Sequence, residues 1–202
     1  AMASRGMKPT EIEDARAKGL QPTVFTIGYD GICVVVHPSR QTDNLTKDQL
    51  KAIFTGQIKD WSEVGGGAGE IQVISRDASS GTFGMFKKLA LDGASLEGAK
   101  ASEVKGNSEM KARVAENESA IGYLGMAYVD QDVRVVSLNG VEPTEATIGS
   151  GDYPLARALY LITDGRPAAG SLKQAFVSFC QTRDGAAMVK TTGYIPLPML
   201  RF

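Results

Sequence analysis

Runs of β-branched and apolar residues alternate with capped amphipathic segments along the whole 202-residue chain, and this alternation confines it to the α/β class. Val24 to Val36 is the longest such run. Its β-branched and aromatic residues predict a strand, its interruptions at Gly28 and Gly31 predict a bend, and Pro38 ends it. Shorter strands are expected at Ile71–Ile74, Ala120–Tyr128 and Val133–Leu138, with a further apolar segment over Leu155–Ile162. Between them, helix starts are marked by Thr10 three residues before Glu13, and by Thr46 three before Gln49. The first of these helices would end at Gly19. Gly56 closes the second, which carries Leu50, Ile53 and Phe54 at helical spacing. Asn107 and Ser108 are cap candidates for a helix through Val114, and Ser171 with Gln174 frames one last helix carrying Leu172, Ala175, Phe176, Phe179 and Met188. There is no internal repeat.

The charge balance narrows the partners. With 22 Lys+Arg against 23 Asp+Glu, no broad basic surface is available for nucleic acid or an anionic membrane, so any anion site must be local. No stretch reaches the roughly 18 to 20 apolar residues that span a bilayer. No basic-then-apolar leader stands at the start, an absence that says little about origin. Cys33 and Cys180 are far apart and lack metal or redox spacing; they read as two buried thiols rather than a disulfide. With His37 as the single histidine, a zinc site lacks its usual ligands, and no metal or other cofactor is expected.

Chemistry concentrates at Arg76-Asp77-Ala78-Ser79-Ser80-Gly81-Thr82, between the Ile71–Ile74 strand and a helix carrying Phe83, Phe86, Leu89 and Ala90. The first turn of a helix has unpaired N–H groups and the positive end of its dipole, which together attract an anion. Ser80 and Thr82 would add hydroxyl donors, Gly81 would allow close backbone approach, and Arg76 offers a planar fork of donors. The set suits a small tetrahedral oxyanion; a nucleotide P-loop would require Gly-Lys-Ser/Thr, absent here. Two other readings stand beside it. Ser80 can be a plain helix cap next to a solvated arginine, or Ser79 or Ser80 can be a nucleophile, which would need His37 as its base.

The stretches MASRGMKP, FTIGYDGICVVVHP, LTKDQLKAIFTGQIKDWSEVGG, ISRDASSGT, AIGYLGMAYV and GYIPLP, in this order, resemble the phosphate-binding proteins of bacterial phosphate ABC transporters, of the type II periplasmic binding-protein fold. The resemblance covers nearly the whole chain. It implies a two-lobe α/β protein, with residues 1–72 and 156–202 in the first lobe and 73–155 in the second. Its ligand would be inorganic phosphate, held in a cleft between the lobes, and its partners the transmembrane permease subunits of the transporter. The location implied is periplasmic or extracytoplasmic, and the function is binding without catalysis.

Residue by residue, the resemblance implies that Arg76, Ser80, Gly81 and Thr82 bind phosphate, and that Ser4 matches a ligand serine. In several members an aspartate follows that serine and accepts a hydrogen bond from the ligand; here the position is Arg5. Monohydrogen phosphate can donate such a bond and sulfate cannot, so a carboxylate acceptor discriminates between them. Asp30 is the candidate for that role, with a turn cap between Gly28 and Gly31 as its alternative. Asp77 is a weaker choice, expected to pair with a neighbouring cation. The family also carries a strand, a Ser/Thr-containing loop and a helix ahead of the segment matching Ala3-Ser4-Arg5, so an N-terminally truncated form of the fold is expected. The rival functions are binding of sulfate, molybdate or tungstate, phosphoryl hydrolysis, and a ligand-free interaction or sensory role.

Overall fold

The computed structural model describes residues 1–197, so Pro198 of the GYIPLP stretch lies outside the described residues. Two compact units are present, one built from residues 1–30 and the described residues from 157 on, the other from residues 31–156. Residues 31–72, expected in the first lobe, therefore belong with the second unit. The reason lies in one strand, β2 (Pro22–Val36), which runs without a break through the boundary and gives its second half to the sheet of the second unit.

In the second unit the strand order is β3–β7–β2–β6–β4–β5, formed by β3 (Asn44–Leu45), β4 (Gln72–Arg76), β5 (Ser102–Val104), β6 (Ala120–Gly125) and β7 (Arg134–Leu138) with the end of β2. Pairing is antiparallel where Cys33 faces Leu124 and Val35 faces Val135, and parallel where Val73 faces Ile121 and Arg76 faces Val104. Every residue from Asp30 to Val36 is buried, the pattern of a strand covered on both faces. Alternate residues Cys33 and Val35 pack with Met110 and Val114 of α4 (Asn107–Ala115). Elsewhere in the unit, Phe86 of α3 (Gly81–Leu89) stacks on Tyr123 at 3.8 Å and meets Phe54 of α2 (Lys47–Phe54) edge-on at 4.7 Å. Gly31 is required by contact: a Cβ there would lie 2.2 Å from Cδ1 of Ile148 in α5 (Glu145–Ser150).

The first unit has the strand order β1–β8–β2, with β1 (Met2–Ala3) antiparallel to β8 (Ala156–Asp164) through Met2 facing Leu161 and Ala3 facing Tyr160. Its helices are α1 (Pro9–Ala17), α6 (Leu172–Phe179) and α7 (Arg183–Thr191). The single last helix expected from the sequence is thus two. Thr182 starts the second by accepting the Gly185 amide at 3.2 Å, and Gly185 is needed because a Cβ would meet the Phe179 carbonyl at 2.0 Å. Core is thin here: α1 buries no side chain, and Leu172 (91% exposed), Phe176, Phe179 and Met188 all face outward.

Two of the capped helix starts behave differently. Thr46 and Gln49 exchange backbone-to-side-chain bonds at 2.8 and 3.1 Å, the reciprocal box expected. In α1 the helix opens two residues earlier than the Thr10–Glu13 box predicts, on Pro9, whose fixed φ suits the first helical position; Glu11 rather than Glu13 takes an amide, that of Lys8 at 2.8 Å. Cys33 is buried, Cys180 is half-buried, and they form no disulfide. Among the described residues no helix is long and apolar enough to cross a membrane, and no group of three or more His, Cys, Asp or Glu could hold a metal ion.

Candidate anion site

Parallel pairing delivers Arg76 as the last residue of β4, next to Val104. Tyr123 holds that strand end in place. Its hydroxyl accepts the Arg76 amide at 3.1 Å and lies 2.9 Å from the Ser75 hydroxyl. Burial pushes the Tyr123 phenol above its ordinary value, so the hydroxyl stays protonated and retains a donor.

The turn that follows is self-contained. Asp77 accepts hydrogen bonds from the Ser79 hydroxyl and, at 3.0 Å, from the Ser79 amide, and these hold its carboxyl below the usual range. The expected pairing of Asp77 with a cation is therefore corrected: the nearest donors are those of its own turn, and an Asx-type turn forms instead. The Asp77 carbonyl then accepts the Ser80 amide at 3.0 Å and directs the chain into α3.

Ser80 is the N-cap of α3, its Oγ accepting the Phe83 amide at 3.3 Å. One amide of the first turn is thus satisfied by the protein itself. Two donors remain: the Ser80 hydroxyl proton, which accepting a bond leaves unused, and the exposed Gly81 amide, which has no acceptor among the described residues. Thr82, next along, is buried. Four of the residues expected to bind an anion, Arg76, Ser80, Gly81 and Thr82, therefore lie on one strand–turn–helix element of the second unit.

Arg76 is half-buried and already engaged. Its Nη1 donates to Asn107 Oδ1 at 3.0 Å and its Nη2 to the Lys105 carbonyl at 2.7 Å, while its buried Nε has no hydrogen-bond partner. Asn107, expected as a cap, is the first residue of α4 and serves as a clamp on the guanidinium; Gly106 takes the cap position. Three of the five guanidinium hydrogens are left by these two bonds.

Ser4 and Asp30 belong to the first unit. Ser4 is half-buried in the bend after β1, and its hydroxyl makes no hydrogen bond among the described residues. Its neighbour Arg5 is locked fork-to-fork on Glu11 at 2.5 and 2.8 Å, which holds the Glu11 carboxyl down to about 2. Asp30 lies inside β2, so the turn-cap alternative does not apply. It is 1% exposed and ion-paired with Arg157, whose Nε (3.0 Å) and Nη2 (2.6 Å) both donate to Oδ2; Oδ1 is buried and accepts no hydrogen bond. Arg157 went unnoticed in the sequence, although a lone charge inside the apolar Leu155–Ile162 run was a signal of a buried partner.

The sequence profile of the PBP superfamily domain matches residues 1–184. The chain is similar to the phosphate-binding protein PstS of Bacillus subtilis, 36% identical over 169 residues, which are 83% of this chain and 55% of that protein. It is also similar to PstS of Borreliella burgdorferi, 30% identical over 205 residues, covering 96% of this chain and 71% of that one. Among solved structures it superposes on an ABC-type phosphate transport receptor from Vibrio cholerae with a TM-score of 0.84 and 30% identity, over 98% of this chain and 79% of that one. A putative phosphate ABC transporter substrate-binding protein with bound phosphate, from Clostridium perfringens, gives 0.82 and 31% over the same shares. The chain thus spans between about half and four-fifths of the length of these relatives. On the profile match and these identities, it belongs to the PBP superfamily and, within it, to the family of the phosphate-binding proteins named PstS.

Proposed function

We propose that this protein binds inorganic phosphate and delivers it to the permease of a phosphate ABC transporter, outside the cytoplasm, without covalent chemistry. The observation that carries the reading is the start of α3. A capping serine that still has its proton stands beside the open Gly81 amide, in a turn led by an arginine, and the positive end of the helix dipole points the same way. Relatives whose names state phosphate binding and phosphate transport support the choice of anion. Ser4, Asp30, Arg76, Ser80, Gly81 and Thr82 are the proposed ligands, the hydroxyls, amide and guanidinium donating to the anion and Asp30 accepting a hydrogen bond from the phosphate hydroxyl.

A hydrolase finds little support. His37 is hydrogen-bonded to Ser39 at 2.7 Å, the Ser79 hydroxyl is bonded to Asp77, and neither Ser79 nor Ser80 shares a hydrogen bond with the histidine. Calorimetric titration with phosphate, sulfate and molybdate at neutral pH tests the proposal: phosphate is expected to bind tightest, and tighter sulfate binding would defeat it. Turnover of a chromogenic phosphate ester would instead revive the hydrolase.

A further inference from the structure

We infer that Arg157 is a positioning residue for anion selectivity, fixing the Asp30 carboxylate so that Oδ1 is presented as an acceptor only. The inference rests on the phosphate reading above. An arginine facing a carboxylate commonly binds both oxygens, one to each arm of its fork. Arg157 does otherwise: Nε and Nη2 converge on Oδ2, and Oδ1 keeps all of its lone pairs while buried from water. An unmatched buried acceptor has a desolvation cost, which a donor arriving with the ligand would remove.

Two consequences follow for an incoming dianion. The guanidinium offsets the charge of the carboxylate, so the pair presents an acceptor without a net negative charge. And because two donors point at Oδ2, only an acceptor atom is tolerated there, which dictates the chemistry of the opposite atom. Monohydrogen phosphate can satisfy Oδ1 by donating a hydrogen bond from its hydroxyl; sulfate has no such hydroxyl and meets a bare acceptor.

Because Arg157 fixes the orientation of residue 30, Asp30→Asn has an inverted outcome. Arg157 would hold the amide oxygen at the Oδ2 position, forcing the NH2 group to where Oδ1 stood and turning an acceptor into a donor. The protein is titrated with phosphate and with sulfate at neutral pH, as wild type and as Asp30→Asn, and the ratio of the two affinities is read.

The ratio is expected to fall by about tenfold or more in Asp30→Asn, through weaker phosphate and stronger sulfate binding. In Asp30→Asn combined with Arg157→Met, which lets the amide turn over, part of the ratio returns; a merely structural role for Arg157 gives no such return. Should the Asn variants not fold, Arg157→Lys carries the test, since it keeps the ion pair but replaces the two-nitrogen grip with a point charge. Its ratio is expected to drop about threefold or more. Wild type binding phosphate, with the ratio unchanged in the variants that fold, overturns the inference alone. Wild type binding neither anion overturns the phosphate reading and the inference with it.

Discussion

The hydroxyl of Tyr123 accepts the backbone amide of Arg76 at 3.1 Å, so an aromatic residue buried in the core, stacked on Phe86, sets the height at which the guanidinium leaves the sheet. Tyr123→Phe keeps the stack and removes only the oxygen, leaving the half-buried Arg76 amide without its acceptor. A loss of about 1–3 kcal/mol is expected, the cost of an unsatisfied buried polar group. Urea denaturation measures it; a midpoint identical to wild type would show that the hydroxyl holds nothing.

Arg76→Ala is expected to lower phosphate affinity by about 1.5–3 kcal/mol, the scale of a hydrogen bond to a charged group. Asn107→Ala tests the same arginine indirectly. The clamp on Nη1 at 3.0 Å would be lost while the charge stays, so affinity should fall by less than in Arg76→Ala. Calorimetry on both variants decides, and an unchanged affinity in Arg76→Ala rejects it as a ligand.

Ser80 has two jobs, cap and donor, and two substitutions separate them. Ser80→Ala should cost about 1 kcal/mol of stability through the lost cap, whereas Ser80→Gly should cost only a few tenths. Both remove the hydroxyl, so phosphate affinity should drop in both alike. If affinity follows stability and recovers in the glycine variant, Ser80 is a cap and nothing more.

The Arg5–Glu11 pair sets an acid limb. The Glu11 carboxyl sits at about 2 in the folded protein, below its ordinary value of 4.5, because Arg5 and the Lys8 amide bond its charged form. A depressed value means that this contribution is complete above pH 4.5 and fades as the pH falls toward 2. Thermal melts across that window should show a shallower acid slope in Glu11→Gln, and a slope equal to wild type would remove the pair from the account.

What the sequence showed and what it hid follow from distance along the chain. The Thr46–Gln49 box and the Asp77–Ser80 turn are closed by residues two or three apart, and local composition states them, though the hydrogen-bond partner of Asp77 proved to be Ser79 and not a cation. The Asp30–Arg157 pair joins residues 127 apart: the lone charge in the apolar run signals a buried partner, but nothing local says which residue that partner is. Asn107 misled because asparagine at a helix start suits a cap as well as a side-chain acceptor, and only the parallel pairing of β4 with β5 brings Arg76 within reach of it. β2 stays regular through Asp30 and Gly31 and so passes from one unit to the other without ending; Gly31, read in the sequence as a bend, marks a close approach to Ile148 instead.

The continuity of residues 31–156 has a meaning for biosynthesis. A ribosome synthesises every strand of the second unit before residue 157 is added, so that unit's sheet needs no strand from the later segment. The first unit has no such option. Met2 and Ala3 pair with Leu161 and Tyr160, and Asp30 stays without its counter-ion until Arg157 emerges, so residues 1–30 wait for the segment that follows the second unit.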